Sequence, residues 1–296
     1  MTVLLSQLFA GLGIAAVLLL IALGLTFTFG QMNVINMAHG EFIMAGAYAP
    51  YLLQGVLGAG LAGVAFGLAL PVAFLVTGAV GLVLERTLIR RLYGRPLDTL
   101  LVTWGVSLML QQLARDLFGA PNVQVVAPTW LRGALALGPL TLSYSRLFII
   151  TLVALIVAAI GVYLARSPHG RRMRAVMQNR QLAGCSGIDT DRVDQLTFFV
   201  GSGLAGIAGV ALTLLGPIGP GIGTFYIVDA FLVVIVGGLG QLRGAVVAAV
   251  VLGMLNSFLE YGTNASLAKV LVFAAIVVFL QFRPQGLIAL RTRALT

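Results

Sequence analysis

Two long stretches without a charged residue, Leu8 to Phe29 and Phe42 to Leu84, dominate the first third of the chain. About 20 consecutive apolar residues cross the hydrocarbon core of a bilayer, so the first stretch suffices for one crossing and the second for two. The remainder agrees: 59% of residues are hydrophobic and only 9% are charged, where soluble domains carry about 25% charged residues. An all-α polytopic membrane protein is expected, with residues 1–296 forming a single transmembrane domain. Apolar runs place spans at about 8–29, 37–57, 61–84, 97–118, 147–165, 197–215, 226–241, 244–260 and 267–282, which gives about eight to ten transmembrane helices or half-helices. Met1 to Phe29 has no early basic region and no convincing cleavage site, and reads as a first span rather than a removed signal peptide. The runs 226–241 and 244–260 are short, and Gly237-Gly238-Leu239-Gly240-Gln241-Leu242-Arg243-Gly244 joins them. They are either two tilted spans or one discontinuous element, a device that exposes polar backbone to a cavity in transporters.

Basic side chains outnumber acidic ones by 18 to 9, a formal net charge of +9. The arginines cluster in short connecting segments. Arg86, Arg90, Arg91 and Arg95 fall in one, Arg166, Arg171, Arg172, Arg174, Arg180 and Arg192 in another, and Arg283, Arg291 and Arg293 in the tail. That is the cytoplasmic-side bias of membrane proteins, and it makes nucleic acid a poor explanation of the charge. Residues 119–146, with Pro121, Pro128, Gly133, Gly138 and Pro139, then form an ordered but irregular outer loop, with Trp130 near the interface. The single cysteine, Cys185, excludes an intrachain disulfide and a multi-cysteine metal site. Glycine occupies 37 of 296 positions, and small residues let transmembrane helices approach closely. The runs Gly11-x-Gly13, Gly55-x-x-Gly58-x-Gly60-x-x-Gly63 and Gly201-x-Gly203-x-x-Gly206-x-x-Gly209 are read as packing surfaces.

The chain carries no nucleotide-hydrolysing machinery. A P-loop needs a lysine followed by Ser or Thr to hold phosphates, and the one lysine, Lys269, sits between Ala268 and Val270 in an apolar run. His39 and His169 are the only histidines, with no His-x-x-x-His pair and no Ser-His-Asp arrangement. No catalytic residue, metal site or cofactor is expected in this chain. Residues 166–195 form the longest polar segment. Residues 171–185 suit a short amphipathic helix with Val176, Leu182 and Ala183 on its apolar side, stopped by Gly187. Asp191 is placed to cap or flank the next helix. Two readings stand: a helix lying on anionic lipid, or a coupling helix docking into a soluble ATPase. A structured loop of about 30 residues is long for a connector, which favours the second.

Gln31, Asn33, Asn36, His39 and Glu41 form a polar cluster between the two charge-free stretches. Asn36 and Gly40 share a helical face, but Glu41 points away from it unless the helix starts or breaks there. The cluster is either a helix start, with Asn36 as cap and Glu41 in the first turn, or part of a translocation path, the default for intramembrane ionisable residues. A third locus, Gly216-Pro217-Ile218-Gly219-Pro220-Gly221-Ile222-Gly223, is followed by Asp229 in an apolar run. A lone buried acid requires a wet cavity, a partner or a helix end. Asn256 and Glu260 are weaker candidates of the same kind.

Gly30-Gln31-Met32-Asn33-Val34-Ile35-Asn36-Met37-Ala38-His39-Gly40-Glu41-Phe42, with Gly46-Ala47-Tyr48, resembles the permeases of the branched-chain amino acid ABC importer family. The resemblance continues through Arg90-Arg91-Leu92, Asp229-Ala230-Phe231 to Gly240, and Arg283-Pro284-Gln285-Gly286-Leu287, and covers nearly the whole chain. Thr103-Trp104-Gly105-Val106-Ser107-Leu108, Ala120-Pro121-Asn122-Val123 and Ala175 to Arg180 are most similar to its urea-transporting branch. The resemblance implies one permease subunit of a heteromeric importer in the bacterial inner membrane. A second homologous permease, two ATPase subunits that bind ATP and Mg, and a periplasmic or extracellular substrate-binding protein would be its partners. Gln181-Leu182-Ala183 and Gly187 stand where the ATPase-contacting motif of such permeases has Glu-Ala-Ala-x-x-x-Gly, with glutamine for the glutamate and leucine for the first alanine. On that footing Asn36, His39, Glu41 and Asp229 are expected along the substrate path, and Arg174, Met177, Gln181, Ala183 and Gly187 at the ATPase. Urea is the expected substrate. A branched-chain amino acid or another small amide on the same machinery, a passive urea channel and a secondary transporter are the rivals.

Overall fold

The computed structural model describes residues 2–137 and 140–288. Arg291 and Arg293 of the tail, and Gly138 and Pro139, lie outside the described residues. Eleven α-helices occur among the described residues. Six of them are long and apolar enough to cross a membrane: α1 (Thr2–Met32), α3 (Ala62–Thr87), α5 (Tyr144–Arg166), α8 (Thr190–Leu212), α10 (Leu242–Gly262) and α11 (Ala265–Phe282). Three more, α2 (His39–Leu57), α4 (Pro96–Phe118) and the short apolar α9 (Ile222–Gly237), belong to the same bundle. The protein is thus a polytopic all-α membrane protein. The runs 226–241 and 244–260 resolve as two helices, α9 and α10, turned by Gly238 and Gly240 at φ +98° and +73°, conformations that favour glycine. The outer loop holds a small hairpin, β1 (Ala134–Leu137) antiparallel to β2 (Leu140–Ser143), with Ala134 opposite Ser143.

The arginine-rich segments meet at one end of the bundle. Arg90 ion-pairs with Asp191, and Arg86 donates to the Gln195 carboxamide oxygen at 3.0 Å. At the other end the Gln54 carboxamide pairs with the Val126 backbone at 2.8 and 3.0 Å, and Val123 bridges to Ile218. The helix expected over 171–185 is two helices, α6 (Pro168–Gln178) and α7 (Arg180–Cys185). Asn179 breaks it: its backbone is extended and its side chain caps α7 by accepting from Leu182 N–H. Ser167 caps α6, and Asp189, not Asp191, caps α8. Both caps satisfy amides that the helix leaves free.

Helix α1 runs the full depth and ends at Asn33, whose φ of +53° is a left-handed stop that asparagine tolerates. The chain then turns back into the bundle. His39, the first residue of α2, lies 3.3 Å from the Ile21 carbonyl, some 16 Å above the end of α1 at 1.5 Å per residue. Residues 33–38 are therefore re-entrant, and α2 begins at mid-depth. The chain after α8 behaves likewise. Residues 213–221 pass the outer loop at Ile218 and return so that Gly223 packs backbone to backbone on Gly40. From there α2 leaves toward the outer loop and α9 toward the arginine-rich end. The packing is reciprocal as well: α3 lies on α8 as α10 lies on α1. This is the arrangement of an inverted pair of repeats, with two half-helices meeting near the middle.

The glycine runs divide into two kinds. A Cβ on Gly201 would meet Gly24, one on Gly206 would meet Thr77 and Ala73, and one on Gly209 would meet Ile43 and Ala47. These let α8 touch α1, α2 and α3 at backbone distance, the use small residues have in membranes. Gly55, Gly58 and Gly60 face open space and pack against nothing among the described residues.

Candidate functional site

Helix α4 is inside out. Thr99, Thr103, Ser107 and Gln111 recur every four residues and are buried, while Leu101, Trp104, Leu108, Met109 and Leu117 are exposed. Residues four apart share a helical face, so α4 turns a polar stripe inward and an apolar face to lipid. The stripe receives the re-entrant segment. Thr103 Oγ1 accepts from Met37 N–H at 3.0 Å and lies 3.3 Å from the Ile35 carbonyl. These bonds satisfy extended backbone that has no helix of its own.

At the start of α2 the stripe meets Glu41, 1% exposed. Glu41 Oε1 accepts from Ser107 Oγ at 2.8 Å and from Gln111 Nε2 at 2.9 Å, and Gln111 Nε2 also lies 3.0 Å from Thr224 Oγ1 of α9. Glu41 Oε2 has no partner among the described residues. Its location in the first turn of α2 lets the helix dipole favour a carboxylate. Asn36 shapes the approach, its Oδ1 accepting from Ala38 N–H at 3.1 Å. Asn36 Nδ2 and His39 Nδ1 are buried and have no partner among the described residues. Buried polar atoms are nearly always paired, so three open ones within six residues mark a place built for something polar. Two half-helices and one polar stripe thus converge on a carboxylate with neutral partners and a free oxygen.

A second polar assembly occupies the arginine-rich end. Asp194, 0% exposed, ion-pairs with Arg180 at 2.5 Å and accepts from Gln31 Nε2 at 2.6 Å. Tyr93 donates to Glu85 at 2.9 Å. Burial, with the Asp194 and Glu85 carboxylates next to it, pushes the Tyr93 phenol well above its ordinary range, so it stays a donor.

The chain matches the family model described as the permease component of the branched-chain amino acid transport system, over residues 7–280. It belongs to that family. It is 30% identical over 294 residues to the high-affinity branched-chain amino acid transport system permease protein BraD of Pseudomonas aeruginosa, covering 96% of this chain and 95% of that one. It is 29% identical over 298 residues to LivH of Escherichia coli, with the same coverage. Two ribose import permeases named RbsC match about two-fifths of the chain; that of Haemophilus influenzae is 28% identical over 131 residues. No solved structure matches. This permease is therefore a transport subunit of an ABC importer, not an enzyme, and a multi-pass protein of the inner membrane. Membership implies ATPase and substrate-binding partners.

Of the expected path residues, the permease brings Asn36, His39 and Glu41 together and places Asp229 elsewhere. Asp229 lies 3.6 Å from Lys269 in a small pocket of about 30 Å³ with Leu18 and Asn256. It has found a partner, and that partner is on α11, not at Glu41. Of the expected ATPase-contacting residues, Arg174, Gln181 and Gly187 are exposed on α6, α7 and the turn after them, Ala183 is buried, and Met177 is turned inward against Gly30 and Gly240. Leu182, expected on the apolar side, is 61% exposed. Sequence reading missed Ser107 and Gln111 as partners of Glu41, and Thr224 as a partner of Gln111. The signal was present as Thr99-x-x-x-Thr103-x-x-x-Ser107-x-x-x-Gln111, a polar repeat of helical period inside a span.

Proposed function

We propose that this permease carries a small hydrogen-bonding nitrogen compound, a branched-chain amino acid, through the bundle past Glu41, driven by ATP hydrolysed on partner subunits. The full-length similarity to proteins named as branched-chain amino acid permeases carries the substrate class. Glu41 supplies an acceptor for an incoming N–H or ammonium, and Asn36 and His39 supply open polar atoms beside it. In this reading the transport core is completed by a second homologous permease. Two ATPases that hold ATP and Mg bind below α6 and α7, where Arg174, Gln181 and Gly187 are available. A periplasmic or extracellular binding protein delivers solute from the opposite end, and lipid covers the exposed apolar faces of α4, α5 and α11. Residues 166–195 are the coupling loop within one permease domain.

One observation favours a second substrate. The hydrogen-bond partners of Glu41 are a hydroxyl and a carboxamide, and no cation touches it among the described residues. A zwitterion needs a counter-charge for its carboxylate, whereas urea needs only acceptors and donors. The deciding experiment is uptake of radiolabelled leucine and urea into proteoliposomes holding the whole complex, with binding protein outside and ATP inside. ATP-dependent leucine uptake supports the first reading, and urea uptake alone moves the permease to the second. Uptake of either without ATP defeats both.

A further inference from the structure

Arg180 opens α7, one residue beyond the break at Asn179. Its guanidinium pairs with Asp194 at 2.5 Å and with Asp191 at 3.5 Å, and lies 5.1 Å from the centre of the Tyr93 ring. The Asp194 carboxylate is wholly buried, and its other oxygen is held by Gln31 at 2.6 Å, whose own carbonyl accepts from Thr197 at 2.8 Å. Gln31 is in the last turn of α1, immediately before the re-entrant residues 33–38 that lead to Glu41. One ion pair and one hydrogen bond to the same carboxylate therefore connect the cytoplasmic loop, through α8, to the start of the segment that shapes the site.

We infer that Arg180 is a positioning residue for coupled transport: it joins α7 to the buried Asp194–Gln31 pair, so that displacement of the loop moves the end of α1 and the re-entrant segment. The joint has the chemistry for transmission. A buried carboxylate does not give up its paired cation without a rearrangement that supplies another partner, so α7 and α8 move together or change state together. Transmission needs an element with discrete arrangements that both sites bias, and Asn179 gives α7 a hinge against α6. Met177 adds a packing contact on the same route, its methyl lying against Gly30 at the end of α1 and Gly240 between α9 and α10.

The inference rests on the proposed docking of α6 and α7 to the ATPase, and the experiment separates the two. The complete complex in proteoliposomes is assayed for ATP hydrolysed per labelled leucine or urea imported, in the parent, Arg180→Gln, Arg180→Lys and Gln31→Met. A thiol-to-amine crosslinker on exposed Cys185 reports contact with the ATPase in each. Arg180→Gln and Gln31→Met are expected to raise ATP used per solute by about tenfold, a coupling of ordinary size, with crosslinking unchanged and Arg180→Lys closer to the parent. Gln31→Met leaves the ion pair intact and decides the matter if Arg180→Gln does not assemble. A ratio within about twofold of the parent in Gln31→Met, with crosslinking intact, overturns the inference. Loss of Cys185 crosslinks in the parent itself overturns the docking reading, and the inference with it.

Discussion

Glu41 and Asp194 are both carboxylates sealed inside the bundle, at 1% and 0% exposure, and the molecule treats them in opposite ways. Asp194 has a cation, Arg180, and an amide donor, Gln31. Glu41 has two neutral donors on one oxygen and nothing on the other. A buried charge is tolerated when it is paired and bonded, and is costly when it is not. Asp194 is accordingly a charge-paired node, its Oδ2 against the Arg180 guanidinium and its Oδ1 on Gln31. Glu41 has no cation against it and one oxygen without a partner among the described residues, which is the basis for proposing it as a point of contact for solute.

Four substitutions sharpen or break that contrast. The largest effect is expected for Asp194→Ala, which leaves the buried Gln31 carboxamide without its acceptor and Arg180 with Asp191 alone, and should cost about 2–3 kcal/mol of stability. It is read as lost yield and a lower Tm of the purified complex; an unchanged Tm would make Asp194 dispensable and erase its side of the comparison. Glu41→Gln should leave assembly intact and cut uptake by about tenfold to a hundredfold, the size of a lost bond to a charged group. Near-normal uptake would demote Glu41 to a residue that merely starts α2. Ser107→Ala removes one of the two donors on Glu41 and should lower uptake by about fivefold, the equivalent of one ordinary hydrogen bond. A loss as large as that of Glu41→Gln would show that Ser107 touches solute directly. Asp229→Asn should change uptake by less than about twofold, because Asp229 pairs with Lys269 of α11 and bonds none of Asn36, His39 and Glu41. A severe defect there would place Asp229 on the path.

The fold was largely legible in the sequence because charge-free length and arginine clustering are one-dimensional signals. Helices α2, α3, α4, α5 and α11 begin and end within a few residues of the expected runs. The re-entrant turn was not legible: Asn33, Asn36 and Gly40 signal a break, but only contact with Ile21 and Gly223 reveals that the break lies at mid-depth. Half of the candidate site was legible for the same reason. Asn36, His39 and Glu41 are close in sequence and conspicuous in an apolar setting, whereas the side chains that bond Glu41 are contributed by α4, far along the chain. Asp229 illustrates the converse. Its cost as a lone acid was evident, but its relief by Lys269 depends on how α9 and α11 pack. The break at Asn179 escaped notice because the pattern of Val176 and Ala183 suits one helix as well as two.

The inverted amphipathicity of α4 bears on how the protein is made. An isolated α4 would offer lipid four polar side chains at successive turns, with nothing to bond them except its own backbone. It is stable across the membrane only when residues 33–38 and α2 lie beside it. Those segments precede α4 in the chain and leave the ribosome first. The order of the sequence is therefore also an order of insertion, in which the polar stripe of α4 emerges after the segment that will cover it.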